Sequence, residues 1–246
     1  MKTIQRIAKI IIAISSLAGA VAFVINAFDN KKSKHKPYGN YERWFKRPLD
    51  VFLSTGALIV LSPVLAITAV LVRLKLGSPV IFTQERPGKD EKVFKLFKFR
   101  TMTDRRGDDG QLLPDAERLT EFGSLLRSTS LDELPELINI VKGDMSIIGP
   151  RPLLVRYLPY YTEKEKHRHD VRPGLSGLAQ VSGRNFVKWD QRLAYDVEYV
   201  NKITFSGDVK IVLKTIAKVL KHDDIAVDTD SVETALDEER RDANTE

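Results

Sequence analysis

Two long apolar runs divide the first part of the chain. The first, from Ile10 to Phe28, carries no charge and follows Lys2, Arg6 and Lys9. At about 19 residues it is just long enough to cross a bilayer as a helix, which takes roughly 20. A secretory signal has the same basic start and apolar middle. No small-x-small cleavage pattern stands just before Asp29, so residues 1–28 are expected to be an uncleaved hydrophobic anchor. Lysines lie on both sides of it, which leaves its orientation open. Residues 29–40 are polar and basic, contain Pro37 and Gly39, and read as a linker.

The second run, Val51 to Val72, is also long enough to span, but Ser62-Pro63 interrupts it. Proline inside a helix removes a hydrogen bond and kinks the chain. Lys46 and Arg47 precede the run, and Arg73 and Lys75 follow it. Basic residues on both flanks favour both ends lying on one membrane face. A helix over residues 49–74 that enters, breaks and returns satisfies both features. An ordinary kinked span is the competing reading.

Beyond Pro79 the period changes. Pro79–Gln84 and Val93–Phe99 read as short strands, with the turn between them at Glu85 to Glu91 around Pro87-Gly88. Ala116 to Leu126 resumes helical spacing. Leu134, Leu137, Ile138 and Val141 place an apolar stripe on a further helix that ends at Gly143. Ser130 with Glu133 has the spacing of a capping box, and Asp132 is the rival cap, with Pro135 in the first turn. Trp189 to Tyr199 is helical in pattern and holds Asp196. Val209 to Leu220 alternates apolar residues with lysines. Such a helix suits an anionic membrane surface, or a basic face packed on a core. Residues 226–246 are acidic, poor in large apolar residues and expected to be disordered.

Composition narrows the chemistry. With 43% hydrophobic and 29% charged residues the chain is globular in character. It has no cysteine, which excludes disulfides and thiolate metal sites. An oxygen-bound Mg²⁺ suits it better than a His-rich zinc site. A net charge of +6 points to an anionic partner: nucleic acid, membrane or a phosphorylated substrate. The apolar runs and the lack of a recognition helix argue against nucleic acid.

Asp132 and Glu133 stand at a helix start, with Arg127 upstream and Gly149-Pro150-Arg151-Pro152 downstream. First-turn acids are common because the helix dipole favours them. Arginines beside a helix N-terminus also make a phosphate site, where a carboxylate could be a nucleophile or a metal ligand. Lys98 and Arg100, at the end of the second strand, are further anion contacts. Arg172 to Arg184 holds three glycines whose N–H groups could approach phosphate, although no Walker spacing is present.

In combination these stretches are specific. Lys46-Arg47-Pro48-Leu49-Asp50, Ser62-Pro63, Gly77-Ser78-Pro79-Val80 and Lys98-Phe99-Arg100-Thr101-Met102 are followed by Leu131-Asp132-Glu133-Leu134-Pro135. Lys142-Gly143-Asp144-Met145-Ser146, Gly149-Pro150-Arg151-Pro152 and Arg172-Pro173-Gly174 complete the set. In this order they resemble the bacterial sugar transferases known as monotopic phosphoglycosyl transferases, from about Arg43 to Ile225, which implies a domain over residues 41–225. The resemblance implies an α/β, mostly helical domain with a re-entrant membrane helix, a small β-hairpin and membrane-surface amphipathic helices. It implies transfer of a sugar 1-phosphate from a UDP-sugar to undecaprenyl phosphate, releasing UMP, at the cytoplasmic face of the bacterial membrane. By that pattern Asp132 is the nucleophile, forming a phosphosugar-aspartate, and Glu133 binds Mg²⁺. Arg127, Arg151 and Arg184 become phosphate or nucleotide contacts, with Lys98, Arg100 and Asp196 beside them. A membrane-tethered binding protein without turnover is the alternative. The sugar, the pathway and the oligomeric state, homodimer included, are left open.

Overall fold

The membrane-suited helices sit side by side. The computed structural model describes residues 2–32, 35–182, 188–221 and 234–242. Helix α1 (Lys2–Lys32) contains a 22-residue stretch, Ile4–Ile25, of mean hydropathy 2.3, long and apolar enough to cross a membrane. A single π-turn, Tyr41–Phe45, leads into α2 (Lys46–Val60), and α3 (Ser62–Lys75) follows. The pair is bent by 63° at Leu61. Pro63 has no N–H to offer the carbonyl of Ile59. The Ser62 hydroxyl donates to that carbonyl at 2.8 Å instead, so the break leaves it satisfied. Helix α1 packs on α2 through Ser15 and Gly19, against Pro48, Phe52 and Gly56.

Strands β1 (Ile81–Pro87) and β2 (Val93–Phe99) form an antiparallel hairpin, with Ile81 opposite Phe99 and Pro87 opposite Val93. The first strand therefore runs three residues further than Gln84, where its hydrophobic pattern stops. Proline is tolerated at the last pair of a two-stranded ribbon, and Gly88 N–H to Lys92 O (2.9 Å) closes the loop beyond it. Two short helices, α4 (Asp115–Arg118) and α5 (Glu121–Ser128), take the place of the single helix expected from Ala116 to Leu126. Thr120 separates them by capping α5, accepting from Gly123 N–H at 3.1 Å.

Helix α6 (Glu136–Lys142) ends at Gly143, whose φ of 104° favours glycine. Its buried face is Glu136, Leu137, Asn139 and Ile140, whereas Ile138 is 43% exposed. The stripe expected from apolar spacing is thus rotated, because two polar residues fill core positions. Arg47 of α2 donates to the Ile140 carbonyl (2.7 Å) and the Val141 carbonyl (3.2 Å) at the end of α6. Asp50 accepts from Ser146 Oγ (2.6 Å) and Ile147 N–H (3.2 Å). The bent helix pair is thereby fastened to α6 and to β3 (Ser146–Ile148).

Strand β3 pairs in parallel with β4 (Gly174–Ser176), and the short helix α7 (Glu163–Lys166) lies between them in the chain. A side chain at Gly149 or Gly174 would drive into the other's backbone, which accounts for glycine at both. The glycine-containing stretch from Arg172 holds β4 followed by α8 (Leu178–Ser182), and its last two residues, Gly183 and Arg184, lie outside the described residues.

Helices α9 (Trp189–Asn201) and α10 (Phe205–Lys221) complete the domain. Asp208 of α10 accepts from Tyr41, Lys46 and Tyr199, at 2.8, 2.7 and 2.9 Å, and so joins four segments. The acidic tail departs from expectation. Leu236–Asp242 forms helix α11, and Leu236 is fully buried with Leu153, Tyr157, Tyr161, Trp189 and Leu193. Arg240 pairs with Glu165 and Asp190 and holds the helix down. Residues 226–233 and 243–246 of that tail lie outside the described residues.

Candidate active site

Helix α5 and helix α6 meet in a tight turn. Ser130 has φ 55°, a left-handed conformation, and makes no side-chain cap. The capping box is therefore absent. Leu131–Glu133 form one 3₁₀ turn, and Glu133 turns its carboxylate across to β2 and to the loop after β3. Its Oε1 accepts from Lys98 Nζ at 2.7 Å and from Arg151 at 3.0 Å. Asp132, adjacent to it, is 7% exposed.

Asn139 brings β2 to this turn. Fully buried on α6, it accepts from Phe97 N–H (3.0 Å) and donates to the Lys95 carbonyl (2.8 Å). Its amide thus behaves as one more residue of sheet on the edge of β2. One residue beyond Phe97, Lys98 points at the carboxylates. Glu136, buried one turn beyond Asp132, lies 3.2 Å from the same lysine. Neither Glu136 nor Asn139 figures among the candidates read from sequence. A pattern that counts only apolar positions passes over polar residues on a buried face.

The three carboxyl groups are driven apart in acidity. Burial pushes Asp132 up to about 6; the Glu133 charge adds to this, and Lys98, Arg127 and Arg151 oppose it. Burial would raise Glu133 as well, but Arg151 and Lys98 hold it down at about 2. Burial lifts Glu136 to about 7 against Lys98. Such a split within one pocket separates the duties of neighbouring acids.

The other candidates scatter. Arg127 donates to Thr101 Oγ1 at 3.2 Å, and its charge reaches Asp132. Arg100 turns elsewhere: it pairs with Asp104 and donates to the carbonyls of Leu76 and Ser78, bracing the exit from α3. Asp196 is bonded to Arg168 inside the protein, not to the carboxylate cluster. Arg184 lies outside the described residues.

Among the described residues no group of three or more acidic or imidazole side chains is arranged to hold a metal. A cation at Glu133 would draw on one or two carboxylates and take its remaining ligands from substrate phosphate and water. That is the habit of Mg²⁺, so the residues present fit this ion.

A family model described as bacterial sugar transferase matches residues 41–222. The uncharacterized sugar transferase EpsL of Bacillus subtilis (strain 168) is 51% identical over 175 residues, 71% of this chain and 87% of that protein. The exopolysaccharide production protein ExoY of Sinorhizobium fredii is 39% identical over 192 residues, 71% of this chain and 84% of its own. The UDP-glucose:undecaprenyl-phosphate glucose-1-phosphate transferase of Escherichia coli (strain K12) is 40% identical over 192 residues. That match takes in 74% of this chain but 41% of the longer Escherichia protein.

Proposed function

The chain belongs to the bacterial sugar transferase family, and from that premise we propose that it moves a sugar 1-phosphate from a UDP-sugar to undecaprenyl phosphate. The observation that carries this reading is the buried Asp132 beside an ionised Glu133 that is clamped by Lys98 and Arg151. A carboxylate attacks an anionic diphosphate only where positive charge offsets the repulsion. Lys98, Arg127 and Arg151 bring that charge to the pocket.

In the first half-reaction an Asp132 oxygen bonds to the β-phosphorus, and the bond from that phosphorus to the bridging oxygen breaks. The electron pair leaves with UMP, and the sugar phosphate remains as an acyl phosphate on Asp132. In the second, a phosphate oxygen of undecaprenyl phosphate attacks the same phosphorus and the Asp132 carboxylate is released. Donor and acceptor use one site in turn. Glu133 is the residue that would hold Mg²⁺; the ion, when bound, supplies positive charge to the diphosphate oxygens. Arg151, which donates to Glu133, brings a further positive charge to those oxygens.

The lengths and apolar faces of the helices support a reading of the membrane disposition. We infer that α1 spans, and that α2 and α3 enter and leave on the cytoplasmic face as a re-entrant pair. Helix α10 lies on that surface through Phe205, Val209, Leu213, Ile216 and Leu220, all exposed along one stripe. The product would enter exopolysaccharide or glycoconjugate assembly.

The test is UMP release by detergent- or nanodisc-purified protein with Mg²⁺, undecaprenyl phosphate and a panel of UDP-sugars. UMP from one donor, lost in Asp132→Asn, is the expected result. No UMP from any donor with folded protein would leave a tethered binding protein as the better account.

A further inference from the structure

Arg151 reaches Glu133 from the loop Gly149–Pro152, which has no regular secondary structure. The two prolines flanking Arg151 have no N–H, so the loop has few donors by which to be held. It is held by its carbonyls. Pro150 O accepts from Gly174 N–H at 2.9 Å, Arg151 O from Arg168 at 2.6 Å, and Pro152 O from Arg86 at 3.1 Å. Three successive acceptors are thus taken by a strand and by two arginines from distant parts of the chain.

Arg168 is itself fixed. Its Nε and one terminal nitrogen donate to Asp196 Oδ2 at 3.0 and 2.8 Å, and both side chains are almost wholly buried. A buried ion pair is a poor source of stability, because desolvation consumes most of the attraction. What it does provide is a rigid direction. A planar guanidinium anchored on a carboxylate through Nε and one terminal nitrogen aims the second N–H of that same nitrogen along one line. Here that line ends on the Arg151 carbonyl.

We propose that Arg168, held by Asp196, and Arg86 are positioning residues that set the Arg151 side chain against Glu133 and the incoming diphosphate. This rests on the reaction proposed above. It gives Asp196 a role different from the phosphate contact suggested by sequence: it acts at two removes, through Arg168 and then through the main chain of Arg151. A displacement of about 1 Å at such a clamp is enough to cost about a hundredfold in rate.

Three variants separate positioning from plain structural support. Arg168→Lys keeps a charge beside Asp196 but loses the fork that also reaches the carbonyl. Asp196→Asn loosens Arg168. Arg86→Gln acts from the hairpin, away from the buried pair, and keeps the proposal testable if the buried variants fail to fold. Each is made alone and combined with Arg151→Ala, with unfolding midpoints measured alongside. UMP release is followed from the UDP-sugar that supports turnover.

The expected result is a tenfold or greater loss of kcat in each folded single variant, and less than a twofold further loss in the Arg151→Ala background. Groups that act through Arg151 have nothing left to position once its side chain is gone. Losses that multiply in the double variants overturn the positioning role and leave the reaction standing. Undiminished turnover in Arg151→Ala alone overturns the role of Arg151 and the positioning proposal with it but leaves the reaction standing, whereas no UMP from the unsubstituted protein with any donor overturns the reaction reading itself.

Discussion

Asp132 and Glu133 are neighbours in one 3₁₀ turn, yet they titrate far apart because they have different partners. Glu133 spends its charge on Lys98 and Arg151; Asp132 is buried, has no ion pair of that kind among the described residues, and rises to about 6. A nucleophilic carboxylate must be ionised, so it works above its pKa. The kcat/KM of the free enzyme should therefore climb through about pH 6 and level off beyond it. Arg127 lowers the Asp132 value, so Arg127→Gln should move that limb to higher pH. A limb that stays in place in this variant would contradict the electrostatic account. At this scale the sequence was informative where acids and arginines cluster: Asp132, Glu133, Lys98, Arg127 and Arg151 come together. It was silent on Glu136 and Asn139, whose importance depends on which side of α6 is buried. It did not reveal the partners that Arg100 and Asp196 take within the protein, Asp104 and Arg168, which are fixed only by folding.

Helices and strands were legible where their signals are local. Gly143 ends α6, and the Ser62-Pro63 step coincides with a 63° bend. Trp189 to Tyr199 is helical, as its spacing predicts. Errors arose where a tertiary contact decides the outcome. Strand β1 extends to Pro87 because β2 is there to pair with it. Helix α11 exists in an acidic stretch because Leu236 finds an aromatic pocket and Arg240 finds Glu165. Burial of Leu236 gives a direct check. Leu236→Ala should destabilise the domain by about 2–5 kcal/mol, the usual range for emptying a core leucine site, read as a lower midpoint in denaturant. An unchanged midpoint would mean that α11 does not hold this position.

For the whole molecule, the bent pair of apolar helices and the carboxylate turn form one mechanical unit. Arg47 and Asp50 at the start of α2 grip the end of α6 and the start of β3, and α6 begins beside Asp132 and Glu133. A lipid acceptor lying along the membrane and a soluble nucleotide sugar arriving from solvent can then meet the same aspartate in succession. Covalent catalysis removes any need for both to be bound together, and that is the central claim. It is tested most directly with the donor alone. Purified protein is mixed with Mg²⁺ and the active UDP-sugar, without undecaprenyl phosphate, and both free UMP and the mass of the peptide bearing Asp132 are measured. The account predicts a burst of about one UMP per active site and a peptide heavier by one sugar phosphate, both absent in Asp132→Asn. UMP that appears only once the lipid is added, with no modified peptide, would contradict it and place the two substrates in the site together.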